Sequence, residues 1–95
     1  MGELKVRLTR EAAKIVSKLH PENKKLIRSA LDEVRQNPHQ GRDLQDELAG
    51  FKSYRIKRYR IVYKLNEEQS SIDIYYLGHR RDVYEQFRTL LNKLI

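Results

Sequence analysis

Residues 51–65 constrain what this chain can fold into more than any other stretch. Tyr59, Ile61, Tyr63 and Leu65 alternate with Arg60, Val62 and Lys64, and just upstream Tyr54 and Ile56 alternate with Arg55 and Lys57. Extended strands send successive side chains to opposite faces, so this two-residue period marks strands rather than helix. Two such runs, 51–57 and 59–65, predict an antiparallel hairpin with a tight turn near Lys57-Arg58. A third run at 71–78 pairs next, after the polar loop 66–70.

The remaining pattern is helical or short. Leu4, Val6 and Leu8 alternate with Lys5 and Arg7, which predicts a strand over 3–8 with one buried face. Thr9 is a good N-cap for a helix whose apolar set is Ala12, Ile15, Val16 and Leu19. Pro21 stops that helix and suits the first turn of the next, which is predicted over 21–36 with Leu26, Ile27, Ala30, Leu31 and Val34 inward. Residues 38–50 read as loop, anchored by Leu44 and Leu48. Val83, Tyr84, Phe87, Leu90, Leu91 and Leu94 predict an amphipathic C-terminal helix. The order β-α-α-β-β-β-α is an α+β fold, a mostly antiparallel four-stranded sheet with an N-terminal helical hairpin and a C-terminal helix. At 95 residues the chain is expected to be one domain, 1–95.

Charge narrows the function classes. Lys and Arg number 20 against 13 Asp and Glu, a net charge of +7, which makes a polyanion the leading partner class. Six of the cations (Lys52, Arg55, Lys57, Arg58, Arg60 and Lys64) fall between 52 and 64 with no acid among them. There is no cysteine, hence no disulfide framework or thiolate zinc site. His20, His39 and His79 are scattered, so neither a metal nor a cofactor is expected. No apolar run spans a bilayer and the N-terminus carries charges where a signal peptide needs its apolar core, so no membrane association and a cytoplasmic location are expected.

The segment Tyr54-Arg-Ile-Lys-Arg-Tyr-Arg-Ile-Val-Tyr63, followed by Leu77-Gly-His-Arg-Arg-Asp-Val-Tyr84, resembles the RelE/ParE toxin superfamily of type II toxin–antitoxin systems. Members typically carry a Tyr-Arg-hydrophobic-Gly-Asp-Tyr-Arg hairpin and a later Gly-His-Arg segment closing the last strand. The resemblance covers nearly the whole chain and is closer to the RelE branch. It implies an endoribonuclease (an mRNA interferase) that cleaves mRNA in the ribosomal A site without a metal, inhibiting translation. The matching working positions are Arg55, Lys57, Arg60, Arg80 and Tyr84. One departure is Lys57-Arg58, which stands where many relatives have Gly-Asp and calls for a turn geometry that non-glycine residues tolerate.

Such cleavage needs a base for the 2′-OH, charge stabilisation at phosphorus and an acid for the departing 5′-oxygen. Arginine forks suit the phosphate, which assigns Arg60 and Arg80 there, with Arg55 positioning the backbone. Neighbouring cations favour a neutral lysine, making Lys57 a candidate base. Tyr84 is a candidate proton donor that also stacks, although its spacing with Phe87 and Leu91 equally describes core. His79 is the second candidate acid or base. Arg55, Arg58, Arg81, Lys52 and Lys64 are the RNA-binding candidates. Tyr63, Tyr75 and Tyr76 read as sheet packing, and His20 and His39 receive no role. Lys24, Lys25, Arg28 and Arg35 could meet ribosomal RNA, but acids on the same helix favour a solvated face.

The resemblance further implies a cognate antitoxin protein that silences the site, in a complex that binds operator DNA through the antitoxin. Two other readings stand beside this one. One is a ParE-like toxin that inhibits DNA gyrase by binding, without catalysis. The other is an inactive toxin fold kept as an antitoxin-bound regulator.

Overall fold

The alternating hairpin forms as expected, between β3 (Lys52–Ile56) and β4 (Tyr59–Asn66). A computed structural model describes residues 4–79 and 81–94, the side chain of Leu94 excepted. β5 (Ser71–Gly78) lies antiparallel to the other side of β4, and β1 (Lys5–Leu8) adds in parallel to β5. A fifth strand, β2 (Arg42–Asp43), lies antiparallel along the far edge of β3. The sheet order is β1-β5-β4-β3-β2, one strand more than the four expected. Two residues carry too little alternation to register in a polar stretch. Tertiary bonds hold them instead: the Leu44 amide donates to the Phe51 carbonyl at 3.0 Å, and Tyr63 pins the chain just before them.

Both faces of the sheet are covered, unequally. Helices α1 (Arg10–Ser17) and α2 (Pro21–Gln36) cover one face, where Ala12, Ile27, Ala30 and Val34 meet Tyr59, Ile61, Tyr63, Ile72, Ile74 and Leu77. Helix α3 (Val83–Leu94) crosses the other, burying Phe87 against Val62, with Leu48, Phe51, Tyr75 and Tyr76 around them. Leu4 and Val6 pack on the first cluster, but Leu8, expected with them, is 41% exposed at the strand's end.

Helix starts follow the sequence closely. The Thr9 hydroxyl accepts from the Ala12 amide at 3.2 Å. His20 caps α2, its Nδ1 accepting from the Glu22 amide at 3.4 Å with Pro21 in the first turn. That is a structural role the residue types alone did not assign, because histidine is not among the usual N-caps.

Two local irregularities shape the functional end. Val62 pairs with Tyr76 while Tyr63 pairs with Ile74, so Tyr75 is an extra residue with no partner on β4. This bulge turns both Tyr75 and Tyr76 toward α3, giving an aromatic group with Phe51 and Phe87 at centroid distances of 4.9 to 6.3 Å.

The second irregularity is the hairpin turn. Ile56 pairs with Tyr59, leaving Lys57 and Arg58 as a two-residue loop, and Lys57 adopts φ +53°. The expectation of a turn comfortable for non-glycine residues is therefore corrected. Register permits only two loop residues, and such loops favour primed turns that need a positive φ. A left-handed non-glycine residue costs about 1–2 kcal/mol. Lys57→Gly is expected to stabilise the fold by about 0.5–1 kcal/mol, since glycine's greater unfolded-state freedom offsets part of the relief. Thermal melting of the two proteins checks this, and an unchanged or lower Tm would show that the turn is not strained.

Candidate nucleic-acid interface

Register places Arg55 directly opposite Arg60 across the β3–β4 hairpin, on the same face as Val62 and α3. Like charges facing each other across a sheet repel. Arg55 is exposed and Arg60 half-buried. The Arg55 Nε donates to the Lys57 carbonyl at 3.2 Å, tying one guanidinium to the strained turn. On its other side Arg60 pairs with Gly78 of β5. A Cβ at Gly78 would sit 3.0 Å from Val83 Cγ2, so glycine there lets the start of α3 come down close to the sheet.

That close approach brings Tyr84 to the same face. Its ring packs at the edge of the Val62–Phe87 cluster, and its hydroxyl lies 2.8 Å from the Ser53 hydroxyl, either atom donating. Ser53 is buried and stands two residues before Arg55 on one face of β3, about 7 Å along the strand. Packing and polar presentation, alternatives from sequence, coexist at Tyr84 because ring and hydroxyl occupy different surroundings. Arg88, one turn further along α3, lines with Tyr84 a hollow against residues 42–48. Its Nε is 2.8 Å from Glu47 Oε2 but outside hydrogen-bond alignment. Ser53 and Arg88 were both missed from sequence. Their only trace was spacing, Ser53 two before Arg55 and Arg88 four after Tyr84.

The other expected residues divide. Lys57, Arg58 and His79 line a cavity of about 270 Å³ with Asn23, Leu26 and Tyr59, on the α2 side of the sheet. His79 stands edge-on to Tyr59, ring centroids 5.5 Å apart. Arg81 is exposed beside Asp82, Tyr84, Glu85 and Arg88. Lys52 falls on the opposite face from Arg55, opposite Tyr63, and its Nζ donates to Asp43 Oδ1 at 2.6 Å. Lys64 lies over the Phe51 ring, 5.3 Å from its centroid, with Asp73 as register partner. Arg80 lies outside the described residues. On α2, Arg35 pairs with Asp32 at 3.6 Å, as a solvated helix face would. Among the described residues no three His, Cys, Asp or Glu side chains gather as a metal site, and no helix is long and apolar enough to cross a membrane.

Comparison with known proteins identifies the family and the fold. Residues 6–88 match the family described as the ParE-like toxin of type II bacterial toxin–antitoxin system. Toxin RelG of Mycobacterium tuberculosis is 31% identical over 83 residues, covering 85% of this chain and 95% of the relative. The toxin–antitoxin complex RelBE2 of the same organism contains a chain that superimposes with a TM-score of 0.74 at 30% identity, over 83% of this chain and all of that one. The isolated RelE toxin of E. coli shares the fold, with a TM-score of 0.69 at 18% identity over 93% and 98% of the two chains. The protein therefore belongs to the RelE/ParE superfamily and is a ParE-like toxin of a type II bacterial toxin–antitoxin system.

Proposed function

We propose that this toxin is an endoribonuclease that cuts mRNA on the ribosome and thereby inhibits translation. The observation that carries the reading is the Arg55–Arg60 pair, two arginines directly opposite in register on one face of the sheet, one strand repeat from the Ser53–Tyr84 hydroxyls. Mutual repulsion makes such a pair unfavourable alone and favourable around a phosphodiester, whose oxygens match the planar forks. In the reaction the 2′-oxygen attacks phosphorus as the bond to the 5′-oxygen breaks, leaving a 2′,3′-cyclic phosphate and a 5′-OH. Arg55 and Arg60 stabilise the charge that builds on the phosphate, with Arg80 assigned alongside by its motif. Tyr84 supplies the proton to the 5′-oxygen, and Lys57 at the turn, assigned by its motif, takes the one from the 2′-OH. Arg58 and Arg81 add potential around the site. The complex of the mycobacterial relative supports a cognate antitoxin as partner, and operator binding through that antitoxin follows from the family pattern.

The test is cleavage of an mRNA by the purified protein in a reconstituted translation system, with and without ribosomes, mapping both ends. Ribosome-dependent cuts with cyclic-phosphate ends support the reading. Undisturbed translation with gyrase arrested on DNA supports instead a ParE-like inhibitor that acts by binding. Tyr84→Phe separates packing from proton transfer, since it keeps the ring and deletes the hydroxyl. It is expected to lower cleavage by about 10²–10⁴-fold and stability by about 1 kcal/mol for the lost bond to buried Ser53. Ser53→Ala is expected to match the stability loss but cost far less cleavage. Equal cleavage losses in the two variants would make the hydroxyl pair structural.

A further inference from the structure

The cavity at the hairpin tip lies across the sheet from the Arg55, Arg60 and Tyr84 face, and the chemistry assigned there leaves most of its lining unused. Asn23 and Leu26 come from α2, Lys57 and Arg58 from the turn, Tyr59 from β4, and His79 follows β5. The combination is selective. His79 offers a planar ring, held edge-on by the 5%-exposed Tyr59. Leu26 supplies an apolar wall. The Asn23 side-chain amide carries one acceptor and two donors and makes no hydrogen bond among the described residues. Among the described residues, two cations line the space and no carboxylate does. At about 270 Å³ it falls just under the ~300–1,000 Å³ of drug-sized pockets, room for a single ring system. Stacking on His, an amide reading a base edge and cations beside a phosphate are the means by which unpaired RNA bases are held.

We propose that this cavity receives the base of the nucleotide adjoining the phosphate held by Arg55 and Arg60, and that Asn23 reads that base. The proposal rests on the endoribonuclease reading above. The strand then crosses the two-residue hairpin tip, scissile phosphate on the α3 side and neighbouring base on the α2 side, with Lys57 and Arg58 at the crossing. His79 becomes a stacking platform, which explains its place beside Tyr59 rather than beside Tyr84.

Two measurements decide it. The first is an NMR titration of the intact toxin with the four nucleoside 5′-monophosphates and with inorganic phosphate. At least one nucleotide is expected to shift the amides of Asn23, Leu26, Tyr59 and His79, binding at least fivefold more tightly than the weakest. His79→Ala is expected to weaken it about tenfold, with the remaining spectrum unchanged. Inorganic phosphate giving the same shifts at the same concentration, or shifts confined to Arg55 and Arg60, overturns the proposal. The second maps cut sites in the translation reaction. In Asn23→Ala and Asn23→Asp, cuts beside the preferred base are expected to fall about tenfold relative to the others. An unchanged base distribution overturns the reading role. Absence of cutting by the unmutated toxin removes the endoribonuclease reading and, with it, the position of the base beside a cut, while the titration still decides whether the cavity holds a nucleotide.

Discussion

Arg60→Ala is expected to lower mRNA cleavage by about 10²–10³-fold, the 2.7–4 kcal/mol that losing one preorganised transition-state donor costs, while leaving Tm unchanged or slightly higher. The two effects have opposite signs for one reason. Arg60 has no acidic partner within ion-pair distance among the described residues and faces Arg55. Removing it relieves repulsion in the free protein and removes attraction in the RNA complex. A residue present for the fold would behave otherwise, since its loss would lower melting and activity together. Arg55→Ala is expected to act in the same direction but less, because its Nε is engaged with the Lys57 carbonyl. If Arg60→Ala retained full cleavage, the opposed pair could not be the phosphate site.

Much of this arrangement was readable in the chain, and the reason is physical. Period-two alternation in β4 is strict because one face meets α1 and α2 without interruption, so Tyr59, Ile61 and Tyr63 are all buried as the pattern required. The boundaries of α2 and β5 fall where the sequence put them, since Pro21, Asn37-Pro38 and Gly78 act locally. What escaped depends on contacts remote in sequence. The β5 bulge appears only once Ile72, Ile74 and Leu77 are seen to share a face, a spacing of two and then three. β2 exists because of Tyr63, 20 residues later in the chain. For the site, the motif brought out Arg55, Arg60 and Tyr84, but residue types could not tell which cations were engaged. Lys52 and Lys64 look identical to free cations until Asp43 and Phe51 are placed beside them. Nor could a sequence reading separate His79 from Tyr84, because a strand's two faces and the helix that follows it sort out only in space.

Gly41→Ala is expected to destabilise the protein by about 3 kcal/mol, a fall in Tm of roughly 12–24 °C for a domain of this size. A Cβ at Gly41 would overlap the Tyr63 hydroxyl and lie 2.9 Å from both Cε1 and Cζ of the ring. Tyr63 cannot yield, being fully buried in the core of β4. Its hydroxyl donates to the Pro38 carbonyl at 2.8 Å and accepts from the Gly41 amide at 3.1 Å, so this one group holds the 38–41 segment and thereby sets β2 on the sheet edge. Tyr63→Phe leaves both backbone groups without that partner and is expected to cost about 1–3 kcal/mol. The two substitutions should be less than additive, because deleting the hydroxyl removes the worst overlap, though ring contacts keep the rescue partial. Alkali offers an independent check. Burial pushes the Tyr63 phenol above its ordinary value of 10.0, with the Gly41 bond opposing and Asp43 adding. A folded value above the unfolded one means the contribution is full below about pH 10 and is lost as pH rises through the folded value. Alkaline melting should therefore steepen above pH 10 in the unmutated protein and less so in Tyr63→Phe, and identical profiles would remove this tyrosine from the alkaline transition.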